Sequence, residues 1–137
     1  MAKLNNTLRL RSEALSRALG SLQQVVEMEK SELARDSAIK RFEYSFELLW
    51  KTSKVFLEER FGTAPFSPKE CFRALRSNGV VTDRQTELLL RMTDDRNLSV
   101  HTYDEKTANR IYKRILRSYF PLMRTISEIL KTHARED

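Results

Sequence analysis

The sequence predicts an all-α protein, namely an up-down antiparallel four-helix bundle with an additional short helix. It has only 3 glycines and 3 prolines among 137 residues. Residues 21–61 and 80–120 contain neither, and apolar side chains recur there at steps of three and four. Tight turns need a positive or a fixed φ, so this composition disfavours a turn-rich β-sandwich or barrel. A helical period with short connections favours a bundle whose sequential helices are antiparallel.

The first two helices each carry one apolar stripe. Because residues three and four apart share a helix face, each stripe predicts a face that packs into the core. In the first helix the stripe consists of Leu8, Leu15, Leu19, Leu22 and Val26. In the second it consists of Ile39, Phe42, Phe46, Leu49, Ser53 and Phe56, widened by Leu48, Trp50, Val55 and Leu57.

Capping signals divide the middle of the chain. Ser67–Glu70 predicts a short helix that begins with a serine N-cap and a proline and ends at Asn78-Gly79. A second capping box, Thr82–Gln85, opens the third long helix, and a third one, Thr102–Glu105, opens the last. We therefore expect a helix break just after His101.

The last helix has its own stripe and one predicted irregularity. Pro121 predicts a kink, because a proline cannot donate a hydrogen bond to the carbonyl of Arg117. The stripe consists of Ala108, Ile111, Ile115, Leu122, Ile126 and Ile129.

Length and composition exclude several classes of protein. A chain of this length fits one domain, 1–137, with a core at about 5–132. Cys71 is the only cysteine, which excludes an intrachain disulfide. The chain has only two histidines, so it offers too few cysteine and histidine ligands for us to expect a metal site. No apolar run approaches a membrane span, and the N-terminus resembles no signal peptide, so we expect a cytoplasmic protein with no membrane partner.

The charge favours polyanionic partners without proving them. The chain has 25 Lys+Arg against 19 Asp+Glu, a formal net charge of +6. Such a field attracts nucleic acid. However, the acids are interspersed with the bases, as they are on any solvated helix surface.

The segment Asp94–Tyr103 carries the candidate site. Arg96 continues the apolar stripe of Met92, and an arginine facing the bundle needs an acidic partner, a cleft or an anion. His101 lies five residues further, about 140° around an ideal helix. The two side chains can converge if the helix ends between them or if two protomers share one groove.

Arginine and histidine beside one cleft suit a metal-free phosphodiester cleavage. Histidine can accept a proton from a ribose 2′-hydroxyl, and arginine can hold phosphate oxygens as charge develops. Asn97 adds a neutral donor and Tyr103 a hydroxyl. The structural alternative is a helix-end ion pair, in which Asp94 or Asp95 is the partner of Arg96.

The arrangement Arg96-Asn97-x-x-x-His101-x-Tyr103 is similar to the R-x-x-x-x-H-x-Y signature of HEPN-domain toxins. These are the HepT-like group, also called nucleotidyltransferase substrate-binding proteins. The segment Arg41–Lys51 resembles the second-helix block of that family, and Ser67–Glu70 resembles the start of its short helix. The resemblance covers about residues 5–132 in the expected order.

The resemblance implies an all-helical homodimer whose paired motifs line a shared cleft and cleave RNA without a metal or cofactor. Arg96 and His101 would be catalytic, with Asn97 in support. It also implies a hetero-oligomer with a cognate minimal nucleotidyltransferase antitoxin, which uses ATP and Mg²⁺ to transfer AMP to Tyr103. An adenylyl group would compete with RNA phosphate for Arg96.

Two other hypotheses remain open at this point. The chain could be a non-enzymatic substrate-binding or acceptor subunit of a nucleotidyltransferase, in which Arg96 and His101 recognise an anion. It could also be a structural bundle without a site.

Overall fold

The computed structural model describes residues 2–100 and 104–135. Within them the elements are α1 (Ala2–Val26), α2 (Glu32–Phe61), α3 (Pro68–Ser77), α4 (Asp83–Ser99), α5 (Glu105–Arg114), a π-helical turn (Ile115–Tyr119) and α6 (Phe120–Arg135). The last three elements follow one another directly and form one long helix. These two ranges contain no strand, and none of their helices is long and apolar enough to cross a membrane. The predicted set of four long helices and one short helix is confirmed.

Side-chain contacts fix the helix directions. Tyr44 on α2 is hydrogen-bonded to Ser21 on α1 at 2.5 Å, and Thr52 donates to the carbonyl of Arg11 at 3.4 Å. Residue numbers rise along one helix as they fall along the other, so α1 and α2 are antiparallel. The same relation holds for α4 with α2, as the pairs Arg96–Glu47 and Ser99–Glu43 show. It also holds for α4 with the last long helix, as the pairs Asp95–Arg114 and Arg91–Tyr119 show.

Helix α2 is the centre of the core and contacts every other element. The phenylalanines of its predicted stripe, Phe42, Phe46 and Phe56, are fully buried. Ile39 and Trp50 are only partly buried, at the edge of the core. Burying three phenylalanines contributes several kcal/mol to folding, at about 1.5–3 kcal/mol for each side chain.

Two of the three predicted caps are confirmed, and the third is wrong. Ser67 accepts a hydrogen bond from the backbone of α3, and Thr82 forms the complete capping box with Gln85. The N-cap of α5 is Asp104, whose side chain accepts from the backbone N–H of Thr107 at 3.2 Å. A carboxylate at a helix N-terminus is favoured by the helix dipole, which explains why the cap lies at an aspartate two residues later than predicted.

The end of α4 also differs from the prediction. The helix ends at Ser99, before His101 rather than just after it. The hydroxyl of Ser99 lies 2.9 Å from the carbonyl oxygen of Arg96 and 2.7 Å from a carboxylate oxygen of Glu43 on α2, and these two acceptors share its single proton. A serine near a helix end competes for backbone groups in this way, which weakens helix propagation.

The sequence predicts a kink at Pro121, and the structure has a π-helical turn that ends two residues before this proline. There the backbone N–H of Phe120 donates to the carbonyl of Ile115, five residues earlier. A wider turn accommodates the proline ring and its missing donor. In the stripe that follows, Leu122 and Ile126 are buried as predicted, whereas at its end Leu130 is fully buried and Ile129 only partly.

Cys71 fits the inert buried thiol that its isolation in the sequence suggests. Its side chain is fully buried, and burial raises the pKa of the thiol to about 12. The Sγ atom lies 3.5 Å from the carbonyl oxygen of Trp50, which ties α3 to α2. A protonated, enclosed thiol is a poor nucleophile.

Candidate functional site at the end of α4

Arg96 lies on the bundle-facing side of α4, as its position in the stripe predicts. The preceding members of that stripe, Leu89 and Met92, are fully buried, whereas the side chain of Arg96 is 30% exposed. Its guanidinium carbon lies 5.9 Å from the ring centroid of Phe46 on α2. The guanidinium therefore packs against the ring of Phe46, and part of the side chain stays exposed to solvent. The ring helps to stabilise the charge of the arginine.

The polar contacts of Arg96 are long. Its two terminal nitrogens lie 3.5 Å from Glu47 Oε2 and 3.5 Å from Asn97 Oδ1. Both distances are at the outer limit of hydrogen bonding. The third nitrogen, Nε, is buried, and within 2–100 and 104–135 no atom accepts a hydrogen bond from it. The guanidinium thus keeps donors that an anion could engage.

The hypothesis that Asp94 or Asp95 pairs with Arg96 is wrong. Asp94 points to α3, where it forms an ion pair with Lys69 at 2.6 Å. Asp95 is only 5% exposed and points to the last helix, where it accepts two hydrogen bonds from Arg114 Nη1 at 2.9 and 3.1 Å. Successive residues of a helix lie about 100° apart, so adjacent side chains reach different neighbours.

A buried polar network surrounds Asp95. The hydroxyl of Tyr119 donates to the Asp95 carboxylate at 2.5 Å, and Nε of Arg91 donates to that hydroxyl at 3.1 Å. The Tyr119 ring is stacked on Phe42 with centroids 5.7 Å apart. The π-helical turn ends at Tyr119 and so places this hydroxyl opposite α4. The sequence did not lead us to predict this network. The available signal was Asp95 itself, which lies on the same helix face as Met92 and therefore needs a partner if it is buried.

Two carboxylates of α2 face the end of α4, and sequence reasoning missed both of them. Glu43 accepts from Ser99, while Glu47 is shared between Arg96 and Lys51, the latter at 3.2 Å. They lie one helical turn apart, and that spacing within the aromatic block was the available signal. The site therefore combines a loosely held cation with one carboxylate that contacts it, Glu47, and a second carboxylate, Glu43, that contacts the end of α4.

His101 and Tyr103 lie outside the described residues, so their positions stay predictions. Because α4 ends at Ser99, the helix does end between Arg96 and His101, which is one of the two arrangements that allow their convergence. The second histidine is remote from the site, since the ring of His133 packs 4.9 Å from that of Phe56 on the far half of α2.

The network around Asp95 predicts an alkaline dependence of stability. Burial first, then the hydrogen bond to Asp95, raises the pKa of Tyr119 from 10.0 to about 12. Below about pH 10 the phenol of Tyr119 is neutral in both the folded and the unfolded protein. Above that pH only the unfolded protein loses the proton, so the free energy of unfolding falls until the pH reaches the pKa of the folded state. Relative to Tyr119→Phe, the free energy of unfolding should decline between those pH values in urea titrations. A difference that does not change with pH would contradict this.

Solved structures share this fold. A protein of Thermus thermophilus has a TM-score of 0.76 and 37% identity over 88% of this chain and 98% of its own. A mutant form of the toxin–antitoxin MntA-HpeT has a TM-score of 0.76 and 18% identity over 93% and 98%. The tri-AMPylated HEPN toxin of Shewanella oneidensis in complex with MNT antitoxin has a TM-score of 0.74 and 19% identity over 91% and 96%.

These likenesses give the class of the protein: a helical bundle with the fold of HEPN toxins. The chain belongs to the family described as nucleotidyltransferase substrate binding protein like, whose model matches residues 10–132. The resemblance drawn from the signature of Arg96, His101 and Tyr103 is thereby confirmed at the level of the family. No curated protein matches the chain significantly.

Proposed function

We propose that the chain is the toxin of a toxin–antitoxin pair, a metal-independent endoribonuclease that a nucleotidyltransferase antitoxin neutralises by adenylylating Tyr103. The observation that carries the proposal is the state of Arg96. Its guanidinium lies at a helix end, its side chain is 30% exposed, and its terminal nitrogens contact no acceptor closer than 3.5 Å. Such a group is prepared to bind an oxyanion.

The reaction follows from the chemistry of the two signature residues. His101 takes the proton from a ribose 2′-hydroxyl, and the 2′-oxygen attacks the adjacent phosphorus. The bond from phosphorus to the 5′-oxygen breaks, that oxygen takes up a proton, and a 2′,3′-cyclic phosphate remains. Arg96 stabilises the charge that develops on the phosphoryl oxygens, and Asn97 beside it offers a neutral donor.

The active unit is a homodimer, and one cleft is shared by the two motifs. Arg96 is open on one side, and exposed apolar side chains follow it on the same helix end, namely Leu98 and Val100. A dimer contact at this helix end would remove these apolar side chains from water. A second copy would supply the other wall of the cleft.

Adenylylation of Tyr103 tests the antitoxin part of the proposal. The described residues on either side of this tyrosine's segment, Val100 and Asp104, are exposed, which suits access by a partner enzyme. Incubation with the cognate nucleotidyltransferase, ATP and Mg²⁺ should add AMP to Tyr103 and abolish RNA cleavage, because the new phosphodiester competes for Arg96. Intact-mass spectrometry followed by peptide mapping measures the adduct.

The matched control is another tyrosine, Tyr44, which is exposed on α2. Tyr103→Phe should block the modification, whereas Tyr44→Phe, on the surface of α2, should not. An adduct on another residue, or none, would contradict the neutralisation mechanism and leave the fold assignment intact.

The family description favours a second candidate, a substrate-binding or acceptor subunit without enzymatic activity. In that case the open edge of Arg96 would bind the anionic group of a small substrate. If expression of this chain alone arrests growth and expression of Arg96→Ala does not, the result would favour the toxin over the binding subunit.

A further inference from the structure

A second cationic feature lies between α1 and α2, away from the end of α4. There the surface forms a groove of about 360 Å³ lined by Arg11, Trp50, Lys51, Lys54, Val55 and Glu58. Its charged lining consists of three cations and one carboxylate. A concave surface with that balance attracts anions.

Trp50 gives this groove an aromatic wall. The sequence places it among the core residues of α2, yet it is only partly buried. Its backbone is held by the thiol of Cys71 on α3. The part of the indole that remains exposed lies beside lysines, where a planar ligand could stack on it, and every nucleobase has such a face.

The groove neighbours the site of Arg96, because one side chain, Glu47, contacts a residue of each. Glu47 contacts Arg96 at 3.5 Å and Lys51, a residue of the groove, at 3.2 Å. Lys54 follows at the next turn of α2, about 10 Å along the helix axis from Glu47 at the rise of an α-helix. One extended strand could therefore contact Arg96 and the groove together.

We propose that this groove holds single-stranded RNA next to the phosphate that Arg96 binds. Trp50 stacks on one base, while Lys54 and Arg11 contact flanking phosphates. The proposal rests on the RNase function proposed above and adds where the substrate strand runs. Stacking and phosphate contacts tolerate any base, so the groove contributes affinity rather than sequence choice.

The test uses a strand that the chain cannot cut. A single-stranded DNA oligonucleotide has no 2′-hydroxyl, so binding is measured apart from cleavage. Trp50 is the only tryptophan of the chain, and its fluorescence therefore reports stacking at this position alone. We expect the oligonucleotide to quench that fluorescence. In anisotropy titrations, Trp50→Ala should weaken binding at least about fivefold, and Trp50→Phe should restore most of it.

The lysine contact has its own readout. Lys54→Gln should lower the slope of log K against log salt by about 0.7, the value for one phosphate contact on a single strand. The matched control, Arg84→Gln at the exposed start of α4, removes one charge outside the groove and should leave the slope unchanged. If Trp50→Ala fails to fold, the quenching of Trp50 fluorescence in the unsubstituted protein and the salt dependence of binding by Lys54→Gln still test the proposal.

Several results would overturn the proposal. The first is binding of the oligonucleotide without quenching of the Trp50 fluorescence. The second is equally tight quenching by free AMP, which would indicate a mononucleotide site. The third is a Trp50→Ala variant that loses only antitoxin binding, which would indicate a protein interface. If the oligonucleotide quenches the Trp50 fluorescence but Arg96→Ala cleaves RNA normally, the RNA-binding groove is supported and the proposed catalytic role of Arg96 is rejected.

Discussion

Replacing Arg96 or His101 with alanine is expected to abolish RNA cleavage. Removing a general base costs roughly 10²–10⁴ in rate, and removing a donor that stabilises the transition state costs a comparable factor. The guanidinium of Arg96 makes no hydrogen bond shorter than 3.5 Å in the described fold, and alanine keeps the backbone carbonyl that Ser99 contacts, so the substitution should leave the bundle intact. Gel assays of RNA in EDTA, with detection of 2′,3′-cyclic phosphate ends, measure the effect.

The control for this experiment lies on the same helix. Arg84→Ala removes an exposed arginine from the other end of α4 and should cleave at the normal rate. Circular dichroism of each variant should give the same helix content. Cleavage that requires Mg²⁺, or that is indifferent to both Arg96→Ala and His101→Ala, would reject the assignment.

Asp95→Ala is expected to lower the free energy of unfolding by about 3 kcal/mol. Removing one member of a buried ion pair costs roughly 3–5 kcal/mol, because the other charge is left without compensation. The lower end applies here, since the side chain of Arg114 is 32% exposed and water can reach it. The hydroxyl of Tyr119 also loses its acceptor. Urea denaturation measures the change.

The neighbouring aspartate is a matched control. Asp94 forms its ion pair with Lys69 on the surface, where the two side chains are 64% and 38% exposed. Surface pairs contribute at most about 1 kcal/mol, so Asp94→Ala should change stability little. If the two substitutions destabilise the chain equally, the network around Asp95 does not hold α4 against the last helix.

The sequence by itself determined the helices and most of their ends. The apolar stripe of α2 and the caps at Ser67 and Thr82 are local patterns, and they appear in the structure as predicted. Local hydrogen bonds and helical periodicity depend only on residues within a few positions, so the chain carries this information wherever its neighbours lie. The signature of Arg96, His101 and Tyr103 likewise placed the chain in its family.

Only the tertiary structure decided which charges meet. Spacing placed Arg96 on the inner face of α4 but offered Asp94 and Asp95 as its partners, whereas the packed helices give it Glu47 and send Asp95 to Arg114 and Tyr119. The partly buried position of Trp50, in a groove that it shares with Arg11 of α1, was decided in the same way. The physical reason is that helical spacing fixes the direction in which a side chain leaves its own helix, while its partner depends on the register and rotation of the neighbouring helix, to which residues distant in sequence contribute.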